Sequence, residues 1–375
     1  MIDCGAFCER LEAHDIDFFT GVPDSLLKDF CAYVDDHGRD GQHLITANEG
    51  AAVALAAGYH LATGRTGLVY MQNSGQGNIV NPLTSLVDHD VYGIPVLLLV
   101  GWRGEPGVKD EPQHVKQGKI TLTLFETLGV PYTVLPDDVE PIDAILTTAV
   151  ASMKERSMPY ALVVRKGTFH PYKPQRTTTP THPMLREEAL RLVVDTLDPR
   201  DIIVSTTGKT SRELFELRQA RGEGHGADFL TVGSMGHASQ IALGIAMQQP
   251  DRRIYCIDGD GAVVMHMGSL AIIGSVAPPN YRHVIINNGA HDSVGGQPTV
   301  GFVIDIPAIA SACGYRAVYR AETADEVPEG MSKLQSATGP ALLEIRVRTG
   351  ARPDLGRPTT TPQQNKTAFM EFLAS

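Results

Sequence analysis

The sequence is short of cysteine, of net positive charge and of long apolar runs, and each shortage closes off a class of protein. Five cysteines, at 4, 8, 31, 256 and 313, are odd in number and form no C-x-x-C pair. That pattern argues for reduced core thiols rather than disulfides or a zinc site. Acids outnumber bases 43 to 32, a formal charge of −11. A nucleic-acid partner is therefore not expected, because a phosphate backbone demands clustered Lys and Arg. Any anionic substrate has to be held by local positive charge. The strongest apolar run, 94–100, is far too short to span a bilayer. The opening stretch MIDCGAFCERLEAHD carries acids where a secretory signal would be apolar, so the expectation is a cytoplasmic protein with no membrane partner. Two nucleotide motifs are incomplete as well. A G-x-G-x-x-G starting at Gly259 fails at Val264, and a P-loop ending in Gly208-Lys209-Thr210 would need its first glycine at Ile203.

What is present is a chain of 375 residues, 42% hydrophobic, long enough for two domains with their own cores. The segment 166–184, KGTFHPYKPQRTTTPTHPM, holds four prolines and a Thr cluster and has neither helical nor strand period. A linker at 169–184 is therefore expected to divide residues 1–168 from 185–375. Each side alternates strands and helices, the α/β pattern of a mostly parallel sheet flanked by helices. In the first part strands are expected at 17–19, 44–45, 68–70, 96–100 and 161–164, with helices at 24–34, 48–64, from 78 and before Gly129. In the second, strands are expected at 202–204, 229–230, 254–257, 283–286 and 342–345, with helices near 210–220, 236–248 and 263–275. The tail is expected to be extended up to a short helix over 367–374.

Two of these strands stop at small oxygen-bearing residues. RIYCI (253–257) runs into Gly259-Asp260-Gly261, and HVII (283–286) into Asn287-Asn288, with 25 residues between the two motifs. Parallel strands joined by a right-handed crossover end on the same sheet edge, and neighbours lie about 4.8 Å apart, so Asp260 and Asn288 can converge. Carboxylate and carboxamide oxygens are hard ligands suited to Mg²⁺ or Ca²⁺, and the N-terminus of the helix that follows offers N–H groups to a phosphate. Alone, DGDG reads as a surface turn and NNG as a type I′ turn. The joint spacing of strand, Gly-Asp-Gly, helix, strand and Asn-Asn favours a metal-diphosphate site. An EF-hand loop is excluded by a missing third acid.

This pairing resembles the signature of thiamine-diphosphate-dependent 2-oxoacid decarboxylases. The resemblance implies two thiamine-diphosphate-binding-fold domains, a pyrimidine-binding one at 1–168 and a diphosphate-binding one at 185–375. It implies that Asp260, Asn288 and the carbonyl of Ala290 hold Mg²⁺ against the diphosphate, with Gly261 and Ala262 beside it. VSTTGKTSREL (204–214) would supply Gly208 for close approach and Lys209 as counter-charge. GSMGHASQIALGIA (233–246) resembles the family segment that bends the coenzyme: Gly233 and Met235 would bind the aminopyrimidine, Ser234 lies between them, and the Met235 side chain wedges between the rings. Glu49, opening NEGAAVALAAGYHLATG after Asn48, matches the family's catalytic glutamate, whose proton sharing leads to the coenzyme ylid. On residue chemistry alone, a first-turn glutamate such as Glu49 is more often a helix-dipole or capping residue, and 233–246 reads as a Gly-rich turn with a core Met. The resemblance also implies a homo-oligomer with active sites formed between subunits.

Within that family, FFTGVPDSLLKDF (18–30), DEPQHVKQG (110–118), NNGAHDSVGGQPT (287–299) and LGRPTTTPQQNK (355–366) resemble enzymes of phosphonate biosynthesis whose small 2-oxoacid carries a phosphonate tail; a sulfonate tail is the alternative. The implied reaction is addition of the ylid to the keto carbon, loss of CO₂, and protonation of an enamine to release an aldehyde. Asp24 and Ser25 are implied to begin a helix at the site's mouth, and His114, with Gln113, to lie on a loop that supplies proton donors and substrate contacts. Where related decarboxylases carry an acid aligned with Ser25, this chain has a hydroxyl, which can donate to a second anion instead of repelling it. The stretch 101–119 holds Arg103, Lys109, His114, Lys116 and Lys119, some of which are expected to neutralise the tail; His237 and His291 adjoin the cofactor motifs as lesser candidates. Competing classes are a nucleotide-dependent dehydrogenase or phosphotransferase, against which the failed glycine positions count, and a diphosphate-binding regulatory module, against which Glu49 counts.

Overall fold

A computed structural model describes residues 1–138, 140–175 and 182–375. The chain divides into two compact units, Met1–Thr178 and Thr179–Ser375. In the first unit, β1 (Phe18–Gly21), β2 (His43–Ile45), β3 (Gly67–Gln72), β4 (Val96–Gly101), β5 (Tyr132–Val134) and β6 (Tyr160–Val164) form a parallel sheet in the order β2-β1-β3-β4-β6-β5. Its central strands are apolar throughout because helices cover both faces. Along β4, Leu97 and Leu99 pack into one core and Val96, Leu98 and Val100 into the other, the alternation that a pleated strand imposes.

In the second unit, β7 (Ile202–Ser205), β8 (Asp228–Leu230), β9 (Ile254–Gly259), β10 (Tyr281–Asn287), β11 (Ala317–Ala321) and β12 (Ala341–Arg346) are again all parallel, in the order β11-β12-β10-β9-β7-β8. Its two cores also split by alternation: Tyr255 and Ile257 face one side, Ile254 and Cys256 the other. The expected fold class, two parallel sheets flanked by helices, is the observed one.

Several sequence-based expectations need correction. The first helix after β1 runs over Lys28–His37, not from Asp24. Asp24 instead accepts the Leu26 N–H at 3.0 Å and so closes a turn ahead of the helix. The helix expected at 263–275 is two, Asp260–Met265 and Gly268–Val276, broken at His266. The C-terminal helix begins at Pro362, capped by Thr361 and Gln364. The expected linker is not free along its length. Ile2 donates to Thr168 O at 2.7 Å and accepts from His170 N, and Phe169 is buried in the first unit's core. Met184 is buried in the second unit's core. Positions 176–181 of that linker lie outside the described residues. Edge strands β5 and β11 had no sequence expectation.

Candidate active site

In the first unit, register places Gly21 opposite Tyr70 and Gln72 opposite Gly101, so the residues just past β1, β3 and β4 meet on one edge. Asp24 is fully buried there; it accepts from Gln72 Nε2 at 2.6 Å and from the Leu26 N–H. Burial raises its pKa against those bonds and the nearby Arg103 charge. Arg103, two residues past β4, forks onto Asp110 at 2.8 and 2.5 Å and donates from Nη1 to Ser25 Oγ at 2.8 Å. Burial alone would raise Asp110, but the Arg103 fork and the Gly104 N–H hold it below the usual carboxylate range. Buried Asn73 fixes the Arg103 backbone from both sides, donating to its carbonyl at 2.8 Å and accepting from its N–H at 3.1 Å.

Glu49 opens the helix Glu49–Thr63 on the same edge, after β2. Asn48 caps that helix by accepting the Ala51 N–H at 2.9 Å, which leaves Glu49 in the first turn, where the helix dipole favours a carboxylate. Its side chain is 5% exposed and accepts from Asn78 Nδ2 at 2.6 Å. A Cβ at Gly75 would lie 2.5 Å from Glu49 Oε1, so the segment 72–78 can close on this carboxylate only with glycine there.

Gln113 and His114 lie not on a loop but in the first turn of the helix Pro112–Thr127. The His114 ring is buried, its Nδ1 without a hydrogen-bond partner among the described residues, and its pKa is pushed down to about 4 by burial and then by the Arg103 charge. It is a neutral imidazole at pH 7. A cavity of about 260 Å³ opens beside Ser25, Arg103, Lys109 and Lys166, with Glu105 and Asp110 in its wall. Lys116 and Lys119 are exposed on the helix and do not line it.

In the second unit, Gly259 of β9 pairs with Ile286 of β10, which sets Asp260 beside the Asn287-Asn288 pair. Asp260 is 2% exposed; it accepts from the Thr299 hydroxyl and, at 3.4 Å, from the Asn288 N–H. Burial lifts its pKa to about 6 in spite of those bonds. Asn287 is structural: its Nδ2 donates to Gly301 O and to Glu344 Oε1, both at 2.7 Å. Asn288 accepts the Ala290 N–H at 3.1 Å, so the chain turns directly after the residue whose N–H meets Asp260. A Cβ at Gly301 would lie 2.6 Å from both Asp260 Oδ2 and Asn287 Oδ1, so glycine is required where the returning loop crosses.

Gly261 sits against Met235 and His291: a Cβ there would lie 3.3 Å from the Met235 methyl and from His291 Cε1. The 233–236 turn therefore reaches the Gly-Asp-Gly segment. The His237 Nδ1 donates within it to the carbonyls of Ser234 and Met235, at 3.1 and 3.2 Å. Gly208, at φ +94°, precedes the helix Lys209–Ala220. Lys209, expected as a counter-charge, donates from its ammonium to the Asp292 carbonyl at 2.9 Å and to its carboxylate at 3.1 Å.

A family description, thiamine pyrophosphate enzyme, N-terminal TPP binding domain, matches residues 5–123, and its C-terminal TPP binding domain counterpart matches 206–345. A phosphonopyruvate decarboxylase of Streptomyces viridochromogenes is 37% identical over 89% of this chain and 86% of its own length. The chain belongs to the thiamine pyrophosphate enzymes. A phosphonopyruvate decarboxylase of Streptomyces hygroscopicus is 35% identical over 99% of this chain and 94% of its own. A sulfopyruvate decarboxylase of Methanosarcina acetivorans is 26% identical over 91% and 90%.

The coenzyme of this thiamine pyrophosphate enzyme is thiamine diphosphate, and the second unit's edge fits the divalent ion that accompanies a diphosphate. Asp260 is a buried carboxylate with no cationic side chain paired to it among the described residues, and such a charge is costly unless a counter-ion meets it. The side-chain oxygens beside it, of Thr299 and Asn287, are hard donors of the kind that suits Mg²⁺. Residues that motif logic missed are the amides Gln72, Asn73 and Asn78. Their signal was visible in QNSGQGN (72–78), a run of amides and glycines directly after an apolar strand.

Proposed function

We propose that the chain is a phosphonopyruvate decarboxylase, converting 3-phosphonopyruvate to phosphonoacetaldehyde and CO₂. The observation that carries this reading is full-length similarity to two proteins of that activity, stronger than the similarity to a sulfopyruvate decarboxylase. Thiamine diphosphate, when bound, supplies a carbon nucleophile and then an acceptor for the electron pair left by CO₂. Glu49 would face the pyrimidine of the bound coenzyme and share a proton with it, and Asn78 fixes its Oε2. Asp260, Asn288 and the Ala290 carbonyl hold Mg²⁺, while Gly208 and the helix start behind it offer N–H groups to the diphosphate. Gly233, Ser234 and Met235, the last of which lies against Gly261, would hold the coenzyme's ring portion. Asp24, neutral His114 and Gln113 line the first unit's share of the substrate side. The enzyme is a homo-oligomer in which the Glu49 edge of one subunit completes the Asp260 edge of another. No helix among the described residues is long and apolar enough to cross a membrane, in keeping with a cytoplasmic enzyme.

The test is turnover of phosphonopyruvate, sulfopyruvate and pyruvate, with and without thiamine diphosphate and Mg²⁺. The highest kcat/KM is expected for phosphonopyruvate, and only with both additions. Preference for sulfopyruvate, or turnover without the coenzyme, would overturn the proposal.

A further inference from the structure

The cavity beside Ser25 is charged in a way that decarboxylation itself does not require. Its two acids are already spoken for: Asp110 by the Arg103 fork, and Glu105 by Arg165 at 3.0 Å. Lys109 and Lys166 have no carboxylate partner among the described residues. The lining itself holds three cations and two acids, and because Glu105 is neutralised by Arg165 from outside it, Lys109 and Lys166 are left without an anion in a chain whose formal charge is −11. Arg103 is immobilised twice over, its side chain by Asp110 and its backbone by Asn73. Its remaining direction, Nη1, meets Ser25 Oγ at 2.8 Å as donor. Ser25 accepts from a guanidinium, so its own O–H proton is free to point elsewhere, and the bond it receives makes it a better donor.

We propose that Ser25, polarised by Arg103, and the unpaired Lys109 and Lys166 form the receptor for the substrate's second, tetrahedral anion, and that these two lysines select a dianionic phosphonate over a monoanionic sulfonate. The proposal rests on the decarboxylase reading above and names what sets its substrate class. A phosphonate, like a phosphate ester, approaches two negative charges at neutral pH, whereas a sulfonate keeps one. Preorganisation of Arg103 means little ordering remains when the anion arrives. An acid at position 25 would pair with Arg103 and confront the incoming tail with like charge.

Two measurements on the holoenzyme test it. In Lys109→Ala/Lys166→Ala, KM for phosphonopyruvate should rise roughly 25-fold, about fivefold for each lysine, with kcat little changed. KM for pyruvate, which has no tail, should move less than about twofold. In Ser25→Ala, KM for phosphonopyruvate alone should rise about tenfold, the loss of one hydrogen bond to a charged group. Equal changes for both substrates, or none, would overturn the receptor. The second measurement needs no turnover: phosphonoacetate should raise the thermal midpoint of the wild type more than sulfoacetate does, and the double-lysine variant should lose that difference. Equal shifts by the two anions in the wild type would overturn the charge selection. If phosphonoacetate selectively stabilises the wild type while phosphonopyruvate is not decarboxylated, the decarboxylase reading fails and the anion receptor stands.

Discussion

Counted within each unit, both sheets run in one order, 2-1-3-4-6-5, since the second unit's order reads so from its β8 end. The same four strand ends carry the polar residues in both, but to opposite electrical effect. The first strand leads to Asp24 and Ser25 in one unit and to Gly208 and Lys209 in the other. The second leads to Glu49 and to the 233–236 turn, the third to Gln72 and Asn73 and to Asp260, the fourth to Arg103 and to Asn288. On the first edge the groups satisfy one another: amides hold Asp24 and Glu49, and Asp110 holds Arg103. On the second, Asp260 has hydroxyl and N–H partners but no cation. Topology fixes where chemistry can be placed; the loops decide whether the acids on an edge are held by side-chain amides, as Asp24 and Glu49 are, or left without a cation, as Asp260 is.

The comparison breaks most sharply if the self-satisfied edge is not the catalytic one. Glu49→Gln should lower kcat on the order of 10³-fold while thiamine diphosphate, followed by calorimetry, still binds; near-normal turnover would remove Glu49 from the account. The opposite pattern is expected from the second edge. Asp260→Ala should abolish the Mg²⁺ dependence of coenzyme binding, and Asn287→Ala, which only supports the loop behind the ligands, should weaken Mg²⁺ roughly 10- to 100-fold in the same titration. A smaller effect sharpens the role of the amides: Asn78→Ala should cut kcat by about tenfold, the weight of one hydrogen bond to a charged group, without altering Mg²⁺ affinity.

A separate effect, on stability rather than turnover, concerns pH. The His114 pKa lies near 4 in the folded chain against an ordinary 6.5. The unfolded chain gains a proton as pH falls through about 6.5 while the folded chain does not until about 4, so this group costs stability increasingly across that window. Below it both states are protonated and the cost stays constant. His114→Gln should flatten that part of the urea midpoint against pH. An unchanged slope would mean the ring titrates normally.

How much of this was legible in the sequence follows from burial. The central strands β3, β4, β9 and β10 could be read because parallel strands covered on both faces carry apolar runs, LVYM, VLLLV, IYCI and VII here. Edge strands β5, YTV, and β11, AVYRA, are only half-buried and offered no such run. Asp260 and Asn288 were readable because their spacing is local to a strand-helix-strand unit. The Asn78–Glu49 bond spans 29 positions and the Arg103–Ser25 bond 78, and periodicity cannot reveal either. Prolines at 171, 174, 180 and 183 suggested a linker, whereas Phe169 and Tyr172 in the same segment were anchors: Tyr172 donates its N–H to Asp29 and its hydroxyl to Asp36, both at 3.0 Å.

The claim on which everything turns is that neither edge works without the other and that the two are contributed by different subunits. Co-expression of Glu49→Gln chains with Asp260→Ala chains tests it directly. Each variant alone should be inactive. Where an unlike pair of subunits meets, one of its two sites carries both defects and the other none, so random assortment should restore about a quarter of wild-type activity. A mixture as inactive as its parents would contradict the account.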